Sequence, residues 1–110
     1  MVKVIVLIKR KPGLSRGEFV RYYEEVHAPL ALRCLPYIKR YVRNHIIPPP
    51  GVKEPEFDCV TEEWYEDNDA LNAAGNLYHS SAGQAILDDE LRFMDRSKMV
   101  SFVVDEKVSR

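Results

Sequence analysis

Residues 2–8 read VKVIVLI, apolar at nearly every position where a strand with one wet face would alternate. A strand of this kind has to be covered on both faces, and that requirement limits what the chain can fold into. With 110 residues and 45% hydrophobic content, the sequence supports one domain over 1–110 and one core. A domain of this size leaves much apolar surface uncovered. Any apolar face beyond the first therefore needs a second subunit or a ligand to close it.

Downstream of this strand, KPGLSRGE supplies a Pro-Gly turn and a capping box, in which Ser15 accepts from the Glu18 amide and Glu18 reaches back to the Ser15 amide. A helix follows, with Phe19, Tyr23, Val26 and Leu30 expected along its buried stripe. YIKRYVRNHII (37–47) alternates and is rich in β-branched and aromatic residues, which predicts a second strand, ended by the prolines at 48–50. EFDCVTEEWYE (56–66) predicts a third strand, antiparallel to the second. From Asp67 to Met94 the pattern is helical, with a break expected at Gly75, a second cap at Ser81 with Gln84, and a buried stripe of Leu87, Leu91 and Met94. MVSFVVDE (99–106) predicts a fourth strand.

This βαββαβ order is the α+β, ferredoxin-like plan: a four-stranded antiparallel sheet with two helices on one face. The uncovered face also reads apolar in the first and last strands, and the same face of a second copy is the least demanding cover. The expectation is a homodimer, a dimeric α+β barrel.

Sixteen basic and 17 acidic side chains give a net charge of -1 without long runs of one sign, so clustered phosphate contacts, and with them a nucleic-acid partner, are not expected. The first apolar run stops at Ile8, too short for a membrane span and without the parts of a signal peptide. Cys34 and Cys59 show neither a disulfide framework nor zinc spacing, so no metal is expected and a reduced, cytoplasmic protein fits. GxGxxG, P-loop, GxSxG and HExxH motifs are all missing, and strand three carries acids where an RNA-binding sheet of this topology needs stacking aromatics.

The segment EEVHAPLA (24–31) is the most unusual, because it sets His27 on the helix stripe and Pro29 two residues later. At about 100° per residue, His27 falls about 80° from Phe19 and points toward the sheet. Pro29 costs about 3 kcal/mol inside a regular helix. Either the helix bends there and opens a cavity beside an imidazole, or Pro29 begins a restarted helix and His27 is a core residue bonded to a backbone carbonyl. Strand three puts Glu63 on one face and Glu62 on the other, so whichever face lies under the helices brings a carboxylate into the layer of His27. A His held by a carboxylate can exchange protons near neutral pH. His27 and Glu63 are thus the candidate catalytic residues. Tyr23, Tyr41, Asn44, His45 and Trp64 are candidates to contact a small, apolar or aromatic ligand, while His79 reads as a surface residue.

KRKPGLSRGEFVRYYEEVHAPLA, YVRNHI, EEWYED and DDELRFMDRSKMVSFVVDE together resemble the EthD-like family of the dimeric α+β barrel superfamily. The resemblance implies a ferredoxin-like homodimer with a ligand cavity between sheet and helices and no metal or nucleotide cofactor. It implies proton transfer by the His of VHAPL, which is His27. Relatives of this kind include lactone isomerases, fungal dehydratases of aromatic polyketide pathways, cofactor-free monooxygenases and a protein linked to degradation of a tertiary-butyl ether. The sequence departs from the family at Glu63, a position that is usually apolar and is Cys in the methylmuconolactone isomerase type. Thiol chemistry at that position is absent, which favours acid-base chemistry by His27 with Glu63. The expectation is a cofactor-independent enzyme performing dehydration, cyclisation or isomerisation on an aromatic, polyketide-like or lactone substrate. The alternatives are a noncatalytic ligand-binding or accessory protein and a cofactor-free monooxygenase.

Overall fold

The computed structural model describes residues 1–110. Its elements follow the expected order: β1 (Val2–Ile8), α1 (Arg16–Tyr22), a π-turn (Tyr23–His27), α2 (Ala28–Cys34), β2 (Ile38–His45), β3 (Cys59–Tyr65), α3 (Asn68–Tyr78), α4 (Gln84–Phe93) and β4 (Val100–Val104). The four strands form one antiparallel sheet in the order β2-β3-β1-β4. β1 is internal, as a run apolar on both faces requires.

The register of β1 and β3 pairs Val4 with Glu63, Val6 with Thr61 and Ile8 with Cys59. These side chains share the face under the helices. Two core clusters form there. One joins Ile8 and Cys59 to Phe19, Tyr23, Ala28 and Phe93, and the other joins Val4 and Tyr65 to Leu35, Ile38, Ala74 and Ile86. On the opposite face, Ile5 lies beside Glu62 and Phe102, and Leu7 beside Val60 and Val100. No helix covers that face, and Phe102 is 47% exposed. Trp64 lies there too, with Lys3 and Arg40 stacked on its ring at 4.6 and 4.7 Å.

The capping box of Ser15 and Glu18 forms as expected. The stripe beyond it differs from the expected one: Val26 is exposed and Leu30 only half-buried, whereas Phe19, Tyr23, His27, Ala28 and Ala31 are buried. The π-turn is the cause. Its wider winding, closed by the Ala28 amide on the Tyr23 carbonyl, turns Val26 outward while His27 stays on the core face. Pro29 then occupies the first turn of α2. Its missing N–H costs little there, because the amides of a first turn have few intrahelical partners. The helix therefore continues through the proline with a local change of winding.

The second helical region also departs from expectation. α3 runs through Gly75 without a break and ends at Tyr78, Ser80 rather than Ser81 caps the following 3-10 turn, and Gly83 precedes α4. In α4 the buried positions are Ile86, Asp89, Glu90 and Phe93, with Leu87 half-buried and Leu91 exposed. The strands β2, β3 and β4 are each shorter than expected. The close approach at Gly83 explains the sharp turn between α3 and α4, since a Cβ there would lie 2.1 Å from the Tyr78 carbonyl oxygen. Gly83→Ala is expected to cost on the order of 2 kcal/mol or more and to lower the thermal midpoint by roughly 8 °C or more, as measured by calorimetry.

Candidate functional site

A cavity of about 380 Å³ lies between the sheet and the helices. Most of its wall is apolar, with Val4, Val6, Leu35, Ile38 and Ile86 among the lining residues. Polar groups enter it at three places. From β3, Glu63 accepts a 2.7 Å hydrogen bond from the Tyr65 hydroxyl and has no ion-pair partner. From α4, Glu90 accepts a 2.7 Å bond from the Tyr78 hydroxyl and lies 3.0 Å from Nε of Arg96, an ion pair in which that N–H is poorly aligned. Arg96 also donates to the Tyr78 hydroxyl at 3.0 Å. At the third place Tyr23, Tyr41 and Thr61 join their hydroxyls, with Tyr23 2.7 Å from Thr61 and 3.1 Å from Tyr41.

These groups titrate away from their ordinary values for physical reasons. Burial raises the Glu63 carboxyl, and the Tyr65 hydroxyl offsets this only in part. Burial also raises Glu90, against the opposing help of Tyr78, Arg96 and His27. Tyr23 and Tyr41 are both raised, chiefly by desolvation, and so remain neutral phenols. Cys59 is fully buried and its thiol is pushed up to about 11, which makes it a packing residue rather than a nucleophile.

His27 is almost fully buried, with its ring 4.8 Å from that of Phe93 and 5.6 Å from that of Tyr23. Its Nδ1 bonds Asp89 Oδ2 at 2.9 Å, while the other Asp89 oxygen accepts from the Tyr22 hydroxyl at 2.5 Å and lies 3.6 Å from Arg92. The imidazole is therefore held by a carboxylate, as expected, but that carboxylate is Asp89 and not Glu63. His27 does not line the cavity; Glu63, Tyr23 and Tyr41 do.

Three expected ligand contacts lie elsewhere. Asn44 is exposed on the helix-free face, donating to the Val60 carbonyl and to Glu62 at 2.8 and 2.9 Å. Trp64 occupies that same face, because alternation along β3 turns it away from Glu63. His45 shares the helix face but bonds Glu24 at 2.8 Å and packs edge-on against Phe19 and Tyr23. Glu24, forked by Arg43 and bonded by His45, is lowered to about 2. His79, read as a surface residue, is exposed yet also lines the cavity.

Sequence reasoning did not single out Asp89, Glu90, Tyr78 and Arg96. A signal for the first two was present: Ile86, Asp89, Glu90 and Phe93 recur at i, i+3, i+4 and i+7, so a helix that buries Phe93 buries two acids with it. No three His, Cys, Asp or Glu side chains are grouped as metal ligands. No helix is long and apolar enough to cross a membrane.

A ferredoxin-like α+β domain with an apolar, polar-ended cavity between its layers is the class of protein defined here. The EthD domain sequence profile matches residues 11–97, and the chain belongs to the EthD family. Its fold is similar to that of an ethyl tert-butyl ether D (EthD) family protein from Bacillus halodurans, at 21% identity with a TM-score of 0.69 over 97% of this chain and 100% of that one. An EthD-like protein from Ralstonia eutropha is 19% identical, with a TM-score of 0.71 over 99% and 94% of the two chains. A protein from Bacteroides fragilis described as dimeric and ferredoxin-like, of unknown function, is 13% identical, with a TM-score of 0.59 over 97% and 95%. No curated protein matches the sequence.

The burial of Glu63 has a consequence for stability. A carboxyl whose folded pKa is raised favours folding below its unfolded value, about 4.3, and loses that contribution as pH rises through the folded value. Glu63→Gln is therefore expected to raise the thermal midpoint relative to wild type at pH 8, with the gap closing as pH falls below about 4. Parallel thermal melts across this range check it.

Proposed function

We propose that this protein is a cofactor-independent enzyme that transfers protons on a small, neutral, largely apolar oxygenated molecule, such as an aromatic, polyketide-like or lactone compound. The carrying observation is the apolar cavity of about 380 Å³ with Glu63 in its wall, a carboxyl raised by burial and without a cation beside it. Burial of this kind favours the protonated carboxyl, the form that can donate to a substrate oxygen. Tyr23 and Tyr41 hold that oxygen through their neutral hydroxyls. His27 is the second candidate for proton transfer, acting from behind Tyr23 with its ring oriented by the Asp89 carboxylate. Dehydration, cyclisation and isomerisation share this proton transfer.

A noncatalytic ligand-binding role is the second reading, and the position of His27 outside the cavity wall favours it. The two separate experimentally. Wild type, Glu63→Gln and His27→Gln are screened by thermal shift against phenols, anthrones and lactones, and bound compounds are then followed for turnover. A ligand at about 100 times its Kd stabilises by about 2.7 kcal/mol. The expected result is binding by all three proteins, with turnover reduced roughly 100-fold or more in each variant. Binding without transformation by wild type assigns the carrier role instead.

We also propose a homodimer closed through the helix-free sheet face. Ile5, Leu7, Val60, Val100 and Phe102 present apolar surface there, and Lys3 ion-pairs with Glu62 at 2.6 Å and with Glu106 within the same layer. Sedimentation at micromolar concentration is expected to give twice the 12.7 kDa chain mass, and Phe102→Glu to shift it to the monomer. A wild-type monomer removes the dimer.

A further inference from the structure

Two carboxyl groups reach the cavity from opposite layers, and their surroundings differ. Glu63 projects from the sheet and is met by a neutral phenol, Tyr65. Glu90 projects from α4 and is met by the Tyr78 hydroxyl from α3 and the Arg96 guanidinium from the 3-10 turn before β4, with His27 of the π-turn near enough for its charge to favour the anion. Burial raises both carboxyls, and Arg96, 3.0 Å from Glu90, is the cation paired with either of them. Two carboxylates in one poorly hydrated space do not readily ionise together, so the proton stays where cationic help is least. That place is Glu63. Glu90 is the carboxyl with a cation and a phenol beside it.

We propose that Glu90 is a catalytic carboxylate of this cavity, the base that opposes Glu63 as the acid, and that the substrate is a neutral carbonyl compound with an acidic C–H next to its carbonyl. The inference rests on the proton-transfer reading above and assigns its base to a residue that lines the cavity, where His27 does not. In the step, the Glu90 carboxylate takes the proton from carbon. The C–H electron pair becomes a C=C bond while the carbonyl π pair moves to oxygen, which takes the proton of the Glu63 carboxyl. The substrate becomes its enol, Glu90 becomes the carboxyl and Glu63 the carboxylate, so total charge is unchanged. A carboxylate substrate fits poorly. Arg96, the cation in the lining, is already engaged by Glu90 and Tyr78. Tyr78 and Arg96 are positioning residues, keeping Glu90 aimed and ionised.

The test has a ligand-free part and a catalytic part. Carbon-detected NMR of the side-chain carboxyls, assigned with Glu63→Gln and Glu90→Gln, is expected to show Glu90 losing its proton at lower pH than Glu63; the reverse order overturns the division of roles. Deuterium uptake from solvent into β-tetralone is then followed by mass spectrometry. Wild type is expected to exchange the probe with a bell-shaped pH profile, rising as Glu90 ionises and falling as Glu63 does. Glu90→Gln is expected to lose roughly 100-fold or more while β-tetralone still raises its thermal midpoint, Glu90→Asp to recover part of the rate, and Glu63→Gln to lose the falling limb. Exchange at the wild-type rate by folded Glu90→Gln overturns this inference and leaves the proton-transfer reading standing. No exchange by wild type overturns both.

Discussion

The antiparallel register of β1 and β3 decides which side chains of the sheet face the helices, and the site follows from it. Because Val4 pairs with Glu63 and Ile8 with Cys59, β3 presents Cys59, Thr61, Glu63 and Tyr65 to the helices beside the aliphatic side chains of β1. A slip of β3 by one residue would exchange Glu63 for Glu62 and put Trp64 into the core. The surroundings of Glu62 show what that exchange would remove. On the far face Glu62 is bonded by Lys3 and Asn44 and held below its usual range, whereas Glu63 meets a phenol and is raised. Adjacent glutamates thus have opposite chemistry because the pleat sends one to ions and the other to an apolar cavity.

The helices add a second layer of constraint through a change of winding. The π-turn at Tyr23–His27 aligns Phe19, Tyr23 and His27 on the core face and places His27 against Asp89 of α4. A strictly α-helical path would have kept Val26 on that face as well. In α4, the consecutive acids Asp89 and Glu90 both lie inward but serve different neighbours. Asp89 holds His27 and Tyr22, and Glu90 holds Tyr78 and Arg96 at the cavity. Burying two adjacent carboxylates is costly without such partners, and each has its own set.

Much of the architecture was legible in local patterns. The apolar run at 2–8, the Ser15 capping box and the alternation at β2 and β3 each have a short-range cause, and together they specify βαββαβ. The expectation of a helix break at Gly75 failed because a glycine inside a helix is only weakly unfavourable, and the packing of Leu71, Ala74 and Leu77 in the second core cluster overrides it. The stripe through Val26 and Leu30 failed because periodicity assumes uniform α winding. At the site, Tyr23, Tyr41 and Glu63 were found because alternation and helical spacing place them on the inner face. Asn44 and Trp64 were misplaced for the same reason in reverse, since the chain does not say which face of a strand turns inward until the register is known.

The sequence by itself determined the order of elements, the caps, the family pattern and the presence of a histidine beside a proline in a helix. Those depend on neighbours within a few residues, where propensity and periodicity act. Only the tertiary structure decided that His27 is held by Asp89 across 62 positions of chain, that Glu63 and Glu90 share a cavity, and that Arg96 stands beside Glu90 alone. Such pairings depend on how layers stack, and the ionisation of a carboxyl depends on the water and charge around it, neither of which is encoded in the residues flanking it along the chain.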